Sequence, residues 1–296
     1  MWDDYLFPAS VEEALDILDA HGGEARIIAG GTDLVLQSER GRIPAKVMVD
    51  ITRISGLDHI EERDGLIYIG AQVTHGLVAA SSLIRSRAGV LAEACGVVGG
   101  PQIRNVGTLV GNVVNALPAA DGAMALFALD AEAEVAERTG RRWTPIASLY
   151  AGVGRSTVDP TAAMVTQLRF RAFGEAETGA FERLAKRRAL ILPILNTAVV
   201  VGLENGKVQR ARIAMGPVAQ TPFVATQAAE ALVGRTPDEA SIAGAARLAA
   251  EVAQPRYSLL RGSAEYRKAM VEVLVRRALS RAAAAASGKE GEHANS

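Results

Sequence analysis

Apolar positions spaced three and four apart open the chain. In "PASVEEALDILDAHGG" (8–23), Val11, Ala14, Leu15 and Leu18 fall on one helical face, Ser10 can cap the helix, Glu13 completes a capping box, and Gly22 and Gly23 stop it. A short strand, "ARII", then runs into "AGGTDL", and "KVMVDI" (46–51) reads as a second buried strand. In "IEERDGLIYIGAQVT" (60–74) the period changes to two around Asp64-Gly65, which predicts a hairpin. Thr74 can cap a helix over 75–86, and another helix is expected over 89–95. "DGAMALFALDA" is apolar enough for a buried helix, "EAEVAER" with "TGRRWTPI" for a hairpin, and "AAMVTQLRF" (162–170) for a further strand.

The rhythm changes after a polar, acidic stretch from Gly174 to Gly179, read as a linker. β-rich sequence follows on both sides of Asn205-Gly206, which predicts a hairpin there. Helices are expected over 225–233, over 236–252 from the start signal Thr236-Pro237-Asp238-Glu239, and over 263–285. Strands first and helices after make this part α+β. The expected units are 1–174, divided into two subdomains near 52–58, and 179–285, with 286–296 as a disordered tail.

Composition narrows the function classes. With 296 residues and 49% hydrophobic content, the chain can build one large core or two ordinary ones. A formal net charge of −1 leaves no basic field for nucleic acid or an anionic membrane. The single cysteine, Cys95, excludes a disulfide framework and an all-cysteine metal or iron–sulfur site within the chain, and reads as buried core. His21, His59, His75 and His293 have no metal-ligand spacing, and no metal is expected. The start, "MWDDYLFPAS", lacks the basic flank of a signal peptide, and no apolar run reaches bilayer length, so a cytoplasmic location is expected. No Ser/His/Asp or Cys/His pattern suggests a nucleophile, and no catalytic residue is assigned.

Candidate chemistry gathers in two glycine-bearing stretches. In "AGGTDL" (29–34) the pair Gly30-Gly31 permits positive φ and close approach of a ligand, and its N–H groups with the Thr32 hydroxyl can converge on a phosphate. A plain strand-to-turn glycine pair is the competing reading. "GTLVGNVVNALPAADGA" (107–123) sets Thr108, Gly111, Asn112, Asn115 and Asp121 among small apolar residues. Two asparagines there are costly to bury without partners. Asp121 would be repelled by a pyrophosphate, so it either accepts from a ribose or ribityl hydroxyl or caps the next helix. Neither the G-x-G-x-x-G fingerprint nor a P-loop is present, which argues against a Rossmann domain or a P-loop NTPase.

The order and spacing of "AGGTDL" and "QIRNVGTLVGNVVNALPAADGAMALFALDAEAEV" resemble the FAD-binding medium subunit of molybdenum hydroxylases, the xanthine dehydrogenase and carbon monoxide dehydrogenase flavoprotein family. Thr32-Asp33 is closer to the xanthine dehydrogenase type than to the carbon monoxide type, which has a histidine there. The resemblance implies an α+β architecture: a two-part FAD-binding domain of the vanillyl-alcohol-oxidase/PCMH type, then a small C-terminal domain of antiparallel sheet plus helices. It implies that Ala29, Gly30, Gly31, Thr32, Asp33 and Leu34 form the first FAD loop and that Thr108, Gly111, Asn112, Asn115 and Asp121 form the second wall. In "RLAKRR" (183–188), Lys186 or Arg187 would stand near the flavin pyrimidine ring, against the plainer reading of a solvated edge that blocks strand pairing.

Two positions depart from the family pattern. Val110 replaces a glycine, where its β-carbon could crowd the cofactor, and Ala120 replaces a serine of some relatives. The implied partners are a large molybdopterin subunit and a small subunit with two-iron two-sulfur clusters, in a dimer of heterotrimers. Electrons would pass from those clusters to FAD and on to NAD+, oxygen or another acceptor. Two other readings stand beside this one: a standalone FAD oxidoreductase of the same fold, such as an alcohol oxidase or cell-wall precursor reductase, and a non-catalytic dinucleotide-binding scaffold.

Overall fold

The computed structural model describes residues 2–187, 189–259 and 261–294. The N-terminal layer is parallel: β1 (Asp4–Leu6), α1 (Val11–Ala20), β2 (Ala25–Ile28), α2 (Leu34–Glu39) and β3 (Val47–Asp50), with strand order β1-β3-β2. α1 forms as its pattern demands. Ser10 Oγ accepts from the Glu13 N–H at 3.1 Å, the Glu13 carboxylate accepts from the Ala9 N–H at 2.6 Å, and Val11, Ala14, Leu15 and Leu18 are buried. β3 is buried along its whole length because a neighbouring strand pairs on each edge and helices cover its faces.

The second layer begins after residue 59. β4 (Ile60–Arg63) and β5 (Leu66–Gly70) turn at Asp64-Gly65, both with positive φ, as a two-residue hairpin requires. Six short helices follow: α3 (His75–Ala80), α4 (Ser82–Arg87), α5 (Gly89–Gly96), α6 (Pro101–Arg104), α7 (Leu109–Val114) and α8 (Asp121–Ala128). β6 (Glu132–Glu137), β7 (Gly140–Pro145), the small pair β8 (Tyr150–Gly152) and β9 (Arg155–Ser156), and β10 (Ala163–Arg171) complete this half. The five-stranded antiparallel sheet has the order β4-β5-β10-β6-β7.

The C-terminal half carries β11 (Glu177–Leu184), β12 (Leu195–Glu204), β13 (Lys207–Gly216) and β14 (Phe223–Val224) in sequential antiparallel order, then α9 (Thr226–Glu230), α10 (Glu239–Val252) and α11 (Ala264–Ala294). This sheet is covered on both faces. Phe181, Ala198, Val200 and Ala214 join the core of the N-terminal half, while Ala180, Val199, Val201 and Ile213 pack with residues of α9, α10 and α11. Double coverage explains why "LNTAVVVGL" (195–203) is buried without a break.

Four expectations are corrected. The helix expected over 75–86 is broken at Ser81, whose side chain caps α4 by accepting from the Ile84 N–H. The stretch from Gly174 to Gly179 is not a solvated linker throughout, because β11 starts at Glu177. The buried Glu177 carboxylate is held by Arg171, by Arg210 at 3.0 Å and by the Gly174 N–H at 3.1 Å. The helix start at 236–238 is displaced: Asp238 is the cap and α10 begins at Glu239. The tail expected to be disordered continues α11 through Ala294, since five consecutive alanines (282–286) favour helix propagation; residues 295–296 lie outside the described residues. Among the described residues no helix is long and apolar enough to cross a membrane.

Candidate functional site

The two glycine-bearing stretches meet. At Gly30 a β-carbon would stand 2.1 Å from the Val106 carbonyl oxygen, so only glycine lets the turn after β2 press against the residues leading into α7. Thr32 Oγ1 faces Gly107 from the other side, and the side chain of Gln37 donates to Asn115 Oδ1 at 3.3 Å. Gly31 has φ +64°, which turns the chain from β2 toward α2. The backbone N–H groups of Gly30, Gly31, Thr32 and Asp33 donate to no acceptor among the described residues. Four consecutive donors without a protein acceptor are thus gathered in one strand–turn–helix corner, a chemistry that suits an anion. Asp33 faces Asn115, and desolvation pushes its carboxyl above the usual range against the pull of that neighbour.

The second stretch is more helical than its composition suggests. Thr108 caps α7 by accepting from the Gly111 N–H at 3.0 Å, and Val110 turns into the core, 5% exposed, rather than toward the turn at 29–34. Asn112 is satisfied by the chain itself: its Oδ1 accepts from the Ala123 N–H at 3.1 Å and so caps α8. Asp121 is therefore not the cap; it is the first residue of α8, with Ala120 before it.

The Asp121 carboxylate has other partners. Arg183 Nε donates to Oδ2 at 3.1 Å and Asn196 Nδ2 donates to Oδ1 at 2.7 Å, both from the C-terminal sheet. Burial pushes the Asp121 carboxyl up to about 6, with Arg183 and Asn196 opposing that rise. Asp121 and Asn112 line a cleft of about 320 Å³ with Val98, Gly99, Leu190 and Leu192. The N–H of Leu190 donates to the Gly99 carbonyl at 3.3 Å and closes the C-terminal side of the cleft. A larger groove of about 750 Å³ lies on α10 and α11, beside Arg276 and Arg277; no residue of the glycine turns lines it.

Of the residues singled out in the sequence, Gly30, Thr32, Asp33 and Asn115 come together at one place, and Asn112 and Asp121 at the neighbouring cleft. Lys186 does not join them. It is exposed on the bend after β11, and Arg187 is exposed beside it, donating to the Leu190 carbonyl. The basic group "RLAKRR" instead sends Arg183 inward, its side chain 9% exposed. Arg183 pairs in register with Asn196 across β11 and β12, and both face α8. The signal that could have found them is the period of two: Phe181 and Arg183 share one face of β11, as Asn196, Ala198 and Val200 share one face of β12.

Residues 2–170 match the family described as the FAD binding domain in molybdopterin dehydrogenase, and residues 180–282 match the CO dehydrogenase flavoprotein C-terminal domain. The carbon monoxide dehydrogenase medium chain of Hydrogenophaga pseudoflava is 30% identical over 94% of this chain and 96% of its own. The xanthine dehydrogenase FAD-binding subunit of Escherichia coli O157:H7 is 28% identical over 96% of this chain and 97% of its own. The solved structure of the Hydrogenophaga pseudoflava carbon monoxide dehydrogenase superposes with a TM-score of 0.91 at 29% identity, covering 96% of this chain and 98% of the matched one.

Proposed function

Because this chain belongs to the family of FAD-binding domains in molybdopterin dehydrogenases, completed by a CO dehydrogenase flavoprotein C-terminal domain, we propose that it is the electron-transferring medium subunit of a molybdenum hydroxylase. Its cofactor is FAD, and it is a flavoprotein subunit of an oxidoreductase. The partners proposed are a large molybdopterin subunit and a small iron–sulfur subunit, assembled as a dimer of heterotrimers in the cytoplasm. The units proposed are 1–174 for the FAD-binding domain and 179–285 for the C-terminal domain.

One observation carries the site assignment: the N–H groups of Gly30, Gly31, Thr32 and Asp33, which donate to no acceptor among the described residues, belong to a turn that is itself pressed onto residues 106–107. These donors fit a pyrophosphate, each charge-assisted bond contributing roughly 1.5–3 kcal/mol. Ala29 and Leu34 flank the turn and fix its entry and exit. Thr108, Gly111 and Asn112 hold the opposite wall through α7 and its bond to α8, and Asn115 ties that wall to Gln37. Asp121, at the cleft, accepts from a hydroxyl of the cofactor. When bound, FAD supplies the exchange between one-electron carriers and a two-electron acceptor, here NAD+, oxygen or another oxidant. The chain's own residues bind and orient it, and no acid or base of this chain acts on the substrate hydroxylated at the molybdenum subunit.

The purified full-length chain should carry FAD, read from its visible spectrum. Gly31→Val, which strains a positive-φ position and crowds Ile28 and Val35, or Asn112→Leu combined with Asp121→Ala, which removes the proposed hydroxyl acceptor, should give folded protein that retains less than about a tenth of the flavin, in line with losing about one charge-assisted bond. Wild-type flavin content in both variants would refute the assignment.

A further inference from the structure

Asp121 sits where α8 begins, in the N-terminal half, yet both of its carboxylate oxygens are held by the C-terminal half. Arg183 Nε is 3.1 Å from Oδ2, Asn196 Nδ2 is 2.7 Å from Oδ1, and the same Asn196 amide donates to the Ala119 carbonyl at 3.3 Å. All three side chains are nearly enclosed: Asp121 is 6% exposed, Asn196 1%, and the Arg183 side chain 9%. Arg183 is further fixed by donating to the Ile191 carbonyl, in the segment that walls the cleft. A carboxylate placed this deep requires partners, and here they come from directly opposed positions on neighbouring strands.

We propose that Arg183 and Asn196 are positioning residues: together they hold the Asp121 carboxylate at the cleft, so that FAD binding by the N-terminal half depends on two side chains of the C-terminal sheet. This rests on the reading of Asp121 as a cofactor-binding residue. Among the described residues, the other ionisable groups facing the start of α8 are Cys95 on α5, buried and held as the thiol, and His75 on α3, whose ring lies against Gly122 and is kept neutral by burial. Neither can supply the positive charge that Arg183 supplies. Arg183 and Asn196 both favour the ionised carboxylate, so removing either raises the pH at which Asp121 gains its proton. Only the ionised form accepts the cofactor hydroxyl with full charge assistance.

The test is a fluorescence titration of full-length apoprotein with FAD between about pH 5 and 8, with melting curves to establish folding. For the wild type the apparent Kd should begin to rise as pH falls below about 6, where Asp121 titrates. Asn196→Ala and Arg183→Met should move that break upward by about one pH unit, giving roughly threefold weaker binding near pH 6.5, approaching tenfold near pH 5, and staying within about 1.5-fold of wild type at pH 8. Arg183→Lys, which keeps the charge, should restore the wild-type break. Asp121→Asn should abolish it. Unshifted breaks in both Asn196→Ala and Arg183→Met, or a loss of affinity uniform with pH, would overturn the positioning role and leave the cofactor reading intact. A wild-type break that survives in Asp121→Asn would overturn the role of Asp121 itself. Should Arg183→Met fail to fold, the Asn196 arm decides the question, and a wild-type chain that takes up no FAD overturns both readings.

Discussion

His75 lies under the start of α8, 2% exposed, with Nδ1 3.4 Å from Cys95 Sγ. Burial pulls its pKa from 6.5 down to about 4, and the nearby Arg104 adds to the effect. The unfolded chain therefore takes up a proton on this ring between pH 6.5 and 4 while the folded chain does not, and stability falls as pH is lowered across that window. The expected loss from this group is about 3 kcal/mol. Asp121 acts with the opposite sign, since its raised pKa favours the folded state at low pH and that contribution is lost as pH rises through about 6. Melting curves of wild type and His75→Gln between pH 4 and 7 separate the two: the variant should lose much less stability on acidification. Residue types made the glycine turns legible, because a paired Gly-Gly between a strand and Thr-Asp points to main-chain chemistry. Arg183 was obscured by equally basic neighbours, and Asn196 by a run of apolar residues; only the strand register, a property of two segments at once, shows that they face each other.

The elements with strong local signals formed where their sequence placed them. The capping box of α1 and the Asp64-Gly65 and Asn205-Gly206 turns are satisfied within a few residues, so tertiary packing had little to overrule. α7 forms although its glycine and β-branched valines disfavour helix in isolation; packing on α8 and the Thr108 cap supply what propensity lacks. Ser81 divides one expected helix into α3 and α4 because its hydroxyl competes for the backbone, taking the Ile84 N–H. Ser81→Ala should cost about 1 kcal/mol, measured by urea denaturation, with little change in flavin content because the residue touches neither glycine turn. The polar residues before β11 read as a linker, yet Glu177 is buried against Arg171, six residues earlier at the end of β10, and Arg210 from β13, and the second of these pairings is invisible at the level of a single segment.

Across the whole molecule the two halves share a core. Phe181, Ala198, Val200 and Ala214 leave the C-terminal sheet to pack among residues of the N-terminal half, and Glu93 on α5 accepts from the Phe181 N–H at 3.0 Å. Denaturation of the full chain should therefore show one transition, coincident by far-ultraviolet dichroism and tryptophan fluorescence; two separated steps would contradict a common core. Phe181→Ala should lower stability by about 3–4 kcal/mol and split that transition, because it hollows the seam between the halves. The two-domain order was readable in the shift from mixed elements to strands followed by helices. The depth of the seam was not, since an uninterrupted apolar strand looks the same whether one neighbour covers it or two. β12 has a further bearing on which sequences can replace this one. Its even-numbered positions from Asn196 to Val200 look toward the flavin half and its odd-numbered ones toward the helices, so inserting or deleting one residue inside this strand would swap the two audiences, turning Leu195 onto the carboxylate and Asn196 into the aliphatic layer. The tolerant place for length variation is the exposed turn at Asn205-Gly206, and homologous chains should carry their insertions there and keep the count from Asn196 to Leu203 unchanged.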